Sequence, residues 1–137
     1  MAASSSAFVA RHFRVVVGDA ELSLSAVAGL ELPAGPDAQA SPLTIRRAAG
    51  AGPELFRWCE AVAAGRADVR PVRIELLDGA GGRPVVAWLL DDATPVAWRG
   101  PALDAVSEAV ACEELDLSYR RLRQASDPKE LSHGRTA

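Results

Sequence analysis

The stretch "PVRIELLDGAGGRPVVAWLLDD", residues 71–92, decides the fold. Val72, Ile74 and Leu76 alternate with Arg73 and Glu75, the period-two pattern of a strand with one apolar and one wet face. Asp78-Gly79 and Gly81-Gly82 then supply the positive backbone angles that a hairpin turn requires. In the returning strand Val86, Trp88 and Leu90 face one way while Val85, Ala87 and Leu89 face the other. Both faces are apolar, so both need cover, one from a helix and the other from a neighbouring subunit.

Downstream, "DDATPVAWRGPALDA" at 91–105 holds two prolines, a glycine and a tryptophan, and carries no nucleophile, base or metal pair. Pro95 and Pro101 withhold ladder donors, and Trp98 is an anchor beside Gly100, where backbone can approach closely. In "EAVACEELDLSYRRL", Val110 and Cys112 fall on even numbers but Leu115, Leu117 and Tyr119 on odd ones. A strand changes phase through a bulge or bend, which is expected at Glu113-Glu114. The polar, aperiodic 124–137 reads as a disordered tail.

Upstream, "GPELFRWCEAVAAGR" at 52–66 reads as a helix. Pro53 suits its first position, Glu54 its positive end, and Gly65 the residue past its stop. Leu55, Cys59 and Val62 recur at helical spacing, Phe56 and Trp58 widen the apolar stripe, and Arg57 and Glu60 fall toward solvent. "LTIRRA" at 43–48 is a short strand with Leu43 and Ile45 inward. "FRVVVGDAELSLSAVAGLEL" at 13–32 is a hairpin turning at Gly18-Asp19, followed by a third extended piece. Between them, "PAGPDAQASP" at 33–42 supplies no packed face and reads as a flexible connection.

At 137 residues, with 49% hydrophobic and 24% charged residues and a net charge of −3, the chain fits one globular domain with a substantial core. That charge does not suggest a dedicated nucleic-acid or membrane-surface binder. No window reaches the roughly 20 apolar residues of a membrane span, and the start lacks a secretory pattern, so the expected compartment is the cytoplasm. Cys59 and Cys112 lie outside any metal-ligand spacing and read as buried thiols.

The remaining chemical signals are weak. "GAGG" lacks the lysine and hydroxyl residue of a phosphate loop and lies between strands, so it reads as a turn. His12 and His133 have no clustered acid or cysteine. "RRLR" at 120–123 is short and has acidic neighbours, and Asp91-Asp92 and Glu113-Glu114 point to opposite faces of their strands. The sequence therefore offers no catalytic residue, metal site or cofactor site, and an enzyme is not expected.

The order of elements resembles the tail tube proteins of contractile phages and phage-tail-like contractile injection systems. The resemblance is carried by "FRVVVGDAELSLSAVAGLEL", "LFRWCEAVAAGR", "RIELLDGAGGRPVVAWLLDDATPVAWRGPALDA" and "SEAVACEELDLSYRRL", about three fifths of the chain. It implies a mainly β (α+β) fold over 1–123: a small antiparallel β-barrel or sandwich of about six to seven strands with one α-helix packed against it. It also implies a structural role, with subunits closing into six-membered rings that stack into a tube and meet other tube, sheath or baseplate proteins. Phe56, Trp58, Trp88, Trp98, Gly100 and Pro101 are the structural or interface candidates. The chain departs from the family pattern in its short connector, where a longer extended hairpin is usual. Ten residues cannot form two long strands, so the purified chain is expected to form discrete rings or small oligomers, or to stay monomeric until a partner ring is present, and not to build long tubes alone. The alternative function is a monomeric β-barrel adaptor binding a protein or small ligand, which solution mass distinguishes.

Overall fold

The computed structural model describes residues 7–80, 82–127 and 130–131. Among them are eight strands and one helix, in the order β1 (Phe13–Val17), β2 (Ala20–Leu22), β3 (Ala26–Ala28), β4 (Leu43–Ala48), α1 (Glu54–Ala63), β5 (Arg70–Leu77), β6 (Pro84–Arg99), β7 (Cys112–Ser118) and β8 (Arg121–Ala125). All pairings are antiparallel, along the path β2-β1-β5-β6-β7-β4-β3, with β8 also on β6. The sheet folds over on itself: Val15 and Ile74 from one half share a buried cluster with Ile45 and Leu115 from the other, and with Leu55 and Trp58 of α1. The path does not close, because the end strands β2 and β3 are not paired to each other. The fold is thus mainly β with one helix, as the sequence pattern implies.

The 71–92 hairpin forms as its alternation dictates, with Ile74 opposite Trp88 and Leu77 opposite Pro84. Its turn is held by Asp78, whose N–H donates to the Arg83 carbonyl at 2.9 Å and whose carboxylate accepts from the Arg83 N–H at 3.0 Å. Gly81 lies outside the described residues. The first hairpin turns at Gly18, whose φ of 64° favours glycine.

Four features differ from the sequence reading. The Arg73–Glu75 face of β5 is not wet: both are buried, Glu75 accepting from Arg14 and Arg73 at 2.7 Å each, and Arg73 also donating to the Leu131 carbonyl at 3.2 Å. Leu131 packs with Ala87, Ala125 and Leu89, so the chain's own C-terminal segment covers the second face of β6. Val86, Trp88 and Leu90 do not form an outer docking face. Leu90 lies in the core, and Trp88 is half-buried against it. The boundary expected at 123 falls inside β8, and His133 lies outside the described residues.

The phase change is also located elsewhere. Glu113, Leu115 and Leu117 point inward on one uninterrupted face of β7, and Val110 is exposed before the strand begins. The irregularity sits on the partner strand instead, where Pro95 pairs with Leu117 but Ala97 with Asp116, so Val96 bulges outward. Pro95 has no N–H to donate, and an extra residue there keeps the following ladder in register. Nearby, Asp92 adopts φ 55°, where β6 leaves β5 and continues along β7.

Candidate assembly surfaces

Segment 91–112 is built around Trp98. Its indole N–H donates to Glu113 Oε1 at 2.8 Å, its ring meets Phe56 edge-on with centroids 4.9 Å apart, and a Cβ on Gly100 would come within 3.0 Å of the ring. Glycine is what lets the chain turn back against the indole, and Pro101, half-buried, follows. Glu113 spends its other oxygen on Arg47 at 2.7 Å, and Arg47 donates to the Gly52 carbonyl at 2.7 Å and pairs with Glu54 at the start of α1. Burial works against the Arg47 charge, but hydrogen bonds to Glu113 and Glu54 outweigh it and raise its pKa. One buried network thereby joins β4, β6, β7 and the helix start.

The helix docks through Leu55 and Trp58 as expected, with Cys59 and Val62 beside them, but not through Phe56. Leu55 and Trp58 are 2% exposed, whereas Phe56 is 44% exposed and touches Trp98 at the rim rather than the core. The Trp58 N–H donates to the Asp68 carbonyl at 2.8 Å, and the Arg70 guanidinium lies 4.5 Å from its ring centre, held there by the Asp68 carboxylate at 2.9 and 3.0 Å. Trp88 lies on β5's partner strand, away from this group, and donates to Gln124 at 3.0 Å. Cys59 and Cys112 are free and half-buried.

The charged motifs pair with each other. Arg123 meets Asp91 at 2.9 Å and Arg120 meets Asp92 at 2.7 Å, so "RRLR" and the aspartate pair form a ladder of surface ion pairs between β8 and β6. The Arg123 hydrogen bond holds the Asp91 carboxyl below its ordinary pKa. Arg99 likewise binds Glu114 and Asp116, and lowers Asp116. Among the described residues no group of three or more His, Cys, Asp or Glu is placed to hold a metal. No helix among them is long and apolar enough to cross a membrane.

What the surface does offer is sheet edge and apolar side chain. β2 and β3 present unpaired edges, and exposed edges are ready to pair with another chain. The link 100–111 between β6 and β7 exposes Leu103, Val106 and Val110 by 84%, 88% and 74%. Sequence reading missed this link's character because isolated apolar residues among Ala, Asp and Glu look the same in a covered loop as in a bare one.

An open-ended, folded-over antiparallel sheet with one docked helix thus leaves two strand edges and one apolar link exposed to other chains. The chain belongs to the T4-like virus tail tube protein gp19 family, whose model matches residues 9–123. Its fold is similar to a chain in the sheath-tube complex of the extracellular contractile injection system PVC in its extended state, with TM-score 0.79 and 22% identity, covering 92% of this chain and 99% of that one. It is similar as well to a chain of the tube-terminating cap of the anti-feeding prophage, with TM-score 0.76, 20% identity and the same coverage. A more distant likeness is Hcp1 from Flavobacterium johnsoniae, with TM-score 0.61, 15% identity and coverage of 83% and 94%. No curated protein sequence matches the chain.

Proposed function

We propose that this protein is a structural subunit of a contractile phage-tail-like injection particle, forming the tube itself or a tube-like ring at the baseplate or terminus. The observation that carries the reading is the family match across 9–123, which spans every strand from β1 to β7. Likenesses to both a sheath-tube complex and a tube-terminating cap support either position. The role is mechanical rather than enzymatic. Copies associate side by side through edges and apolar rim residues into rings, and the rings meet other tube, sheath or baseplate proteins. Neither a specific nucleic acid nor insertion into a membrane enters this reading, and assembly takes place in the cytoplasm.

Purified protein should give a defined oligomer, near six times 14.4 kDa, by light scattering, and rings by negative-stain microscopy. The short connector between β3 and β4 leaves fewer contacts for stacking, so long filaments are not expected from the purified chain alone. A 14.4 kDa monomer at every concentration would favour the adaptor reading instead.

A further inference from the structure

We infer that the 100–111 link of one copy seats in the groove at the unclosed seam of the next copy, where β2 ends and β3 begins; this rests on the ring reading above. The link is a preformed knob. The Ser107 N–H donates to the Asp104 carbonyl at 3.1 Å, the Val106 N–H to the Asp104 carboxylate at 3.1 Å, and the Ala109 N–H to the Ser107 hydroxyl at 3.1 Å. These bonds fix a turned backbone that holds Leu103, Val106 and Val110 out into solvent. Bare apolar side chains on an ordered scaffold mark a contact surface, and the ordering entropy is already spent before a partner arrives.

The seam supplies the matching hollow. Because β1 continues past the end of β2, and the chain crosses through Leu24 to β3, the interior of the sheet opens there as a groove of about 540 Å³. Phe13, Leu24, Val27, Leu30, Leu76 and Trp88 line it, and among the described residues Arg11 is its one charged lining residue. The link carries the complementary sign, with Asp104 and Glu108 and no basic residue between 100 and 111. Knob and hollow therefore agree in polarity and in charge. Both lie on the same chain, which makes a second copy the occupant that needs no further partner.

They do not serve one another within a copy. Within one copy Leu103, Val106 and Val110 stay 84%, 88% and 74% exposed, so the knob does not fill its own chain's groove. Two different surfaces meeting head to tail form a heterologous contact, and such contacts give a ring where the rotation between copies closes.

The test uses full-length protein and four variants, followed by light scattering across a concentration series, with circular dichroism to confirm folding. Leu103→Asp/Val106→Asp charges the knob, and Leu24→Asp/Val27→Asp charges the hollow. Glu108→Arg and Arg11→Glu reverse one exposed charge on each surface, while Asp104 is kept because its carboxylate holds the Val106 N–H. Each variant should shift the midpoint of oligomer formation upward in concentration, the two charged double variants at least tenfold. An equimolar mixture of knob-charged and hollow-charged copies should stop at dimers, since each copy keeps one intact half, and Arg11→Glu combined with Glu108→Arg should recover assembly. Folded variants with wild-type oligomers would overturn this inference and leave the ring reading standing. A wild-type protein that stays monomeric throughout would overturn both.

Discussion

Replacing Glu113 tests the network that holds segment 91–112 in place. Its side chain is 6% exposed, and both carboxylate oxygens are committed, one to Arg47 at 2.7 Å and one to the Trp98 indole at 2.8 Å. In Glu113→Leu the Arg47 guanidinium, itself 4% exposed, keeps only the Gly52 carbonyl and Glu54, a half-exposed partner. Breaking a buried ion pair from one side costs about 3–5 kcal/mol, because the remaining charge is left without its counter-charge. Glu54 offsets part of that, so the lower end, about 3 kcal/mol, is expected, with the orphaned indole N–H adding about 1 kcal/mol. A fold of ordinary stability, about 5–15 kcal/mol, survives such a loss, and urea denaturation resolves it as a lower midpoint with unchanged slope. Arg47→Met combined with Glu113→Leu should recover much of the loss, since an apolar pair can replace a buried ion pair at little cost. By contrast Arg99→Ala, which removes exposed pairs to Glu114 and Asp116, should cost about 1 kcal/mol or less. Equal small effects for Glu113→Leu and Arg99→Ala, or strict additivity in the double variant, would refute the buried network as the anchor.

Further outcomes follow from the same geometry. Trp58→Ala should lower stability by about 3–5 kcal/mol, and Phe56→Ala, at the exposed rim, by only about 1 kcal/mol; thermal or urea midpoints that rank them the other way would return Phe56 to the core. Gly100→Ala should cost about 1–3 kcal/mol, read as a lower urea midpoint together with a shifted Trp98 environment in near-ultraviolet circular dichroism, because its Cβ meets the indole ring at 3.0 Å. Burial alone would lift the Glu75 carboxyl, but hydrogen bonds from Arg73 and Arg14 hold its pKa below the ordinary 4.5. Below that value the unfolded chain takes up the proton first, so the contribution is complete above about pH 4.5 and fades as pH falls through the lowered folded value. Urea midpoints measured from pH 7 to pH 3 should fall at the acid end, and Glu75→Gln should flatten that fall; an unchanged slope would exclude Glu75 as its source.

The hairpin of β5 and β6 was legible because alternation and turn glycines leave few other conformations open to residues 71–92. The helix was legible from its boundary residues, but not the ranking of Phe56 against Trp58. Both are aromatic on one stripe, and the partners that distinguish them, the Asp68 carbonyl for the Trp58 indole and the Trp98 ring for Phe56, are met only in the folded chain. The phase change was placed at Glu113-Glu114 because a carboxylate on the inward face breaks an apolar alternation, and the cation that allows it there, Arg47, lies 66 residues away in sequence. The same long-range pairing hid the burial of Glu75 and Arg73. The 16-residue length of β6 was hidden by Pro95, Asp91 and Asp92, which read as chain breakers although the strand absorbs them with a bulge and one positive φ.

That single strand has a mechanical consequence. β6 is laced along its first half to β5 and β8 and along its second half to β7, so it runs as a continuous tie from one half of the folded sheet to the other. A thrust along its axis loads the flanking ladders in shear, where many hydrogen bonds share the force at once, instead of peeling them apart one by one. Within the subunit, a load along β6 is carried by covalent backbone through the bend at residues 92–96, from the half of the sheet held by β5 and β8 to the half held by β7.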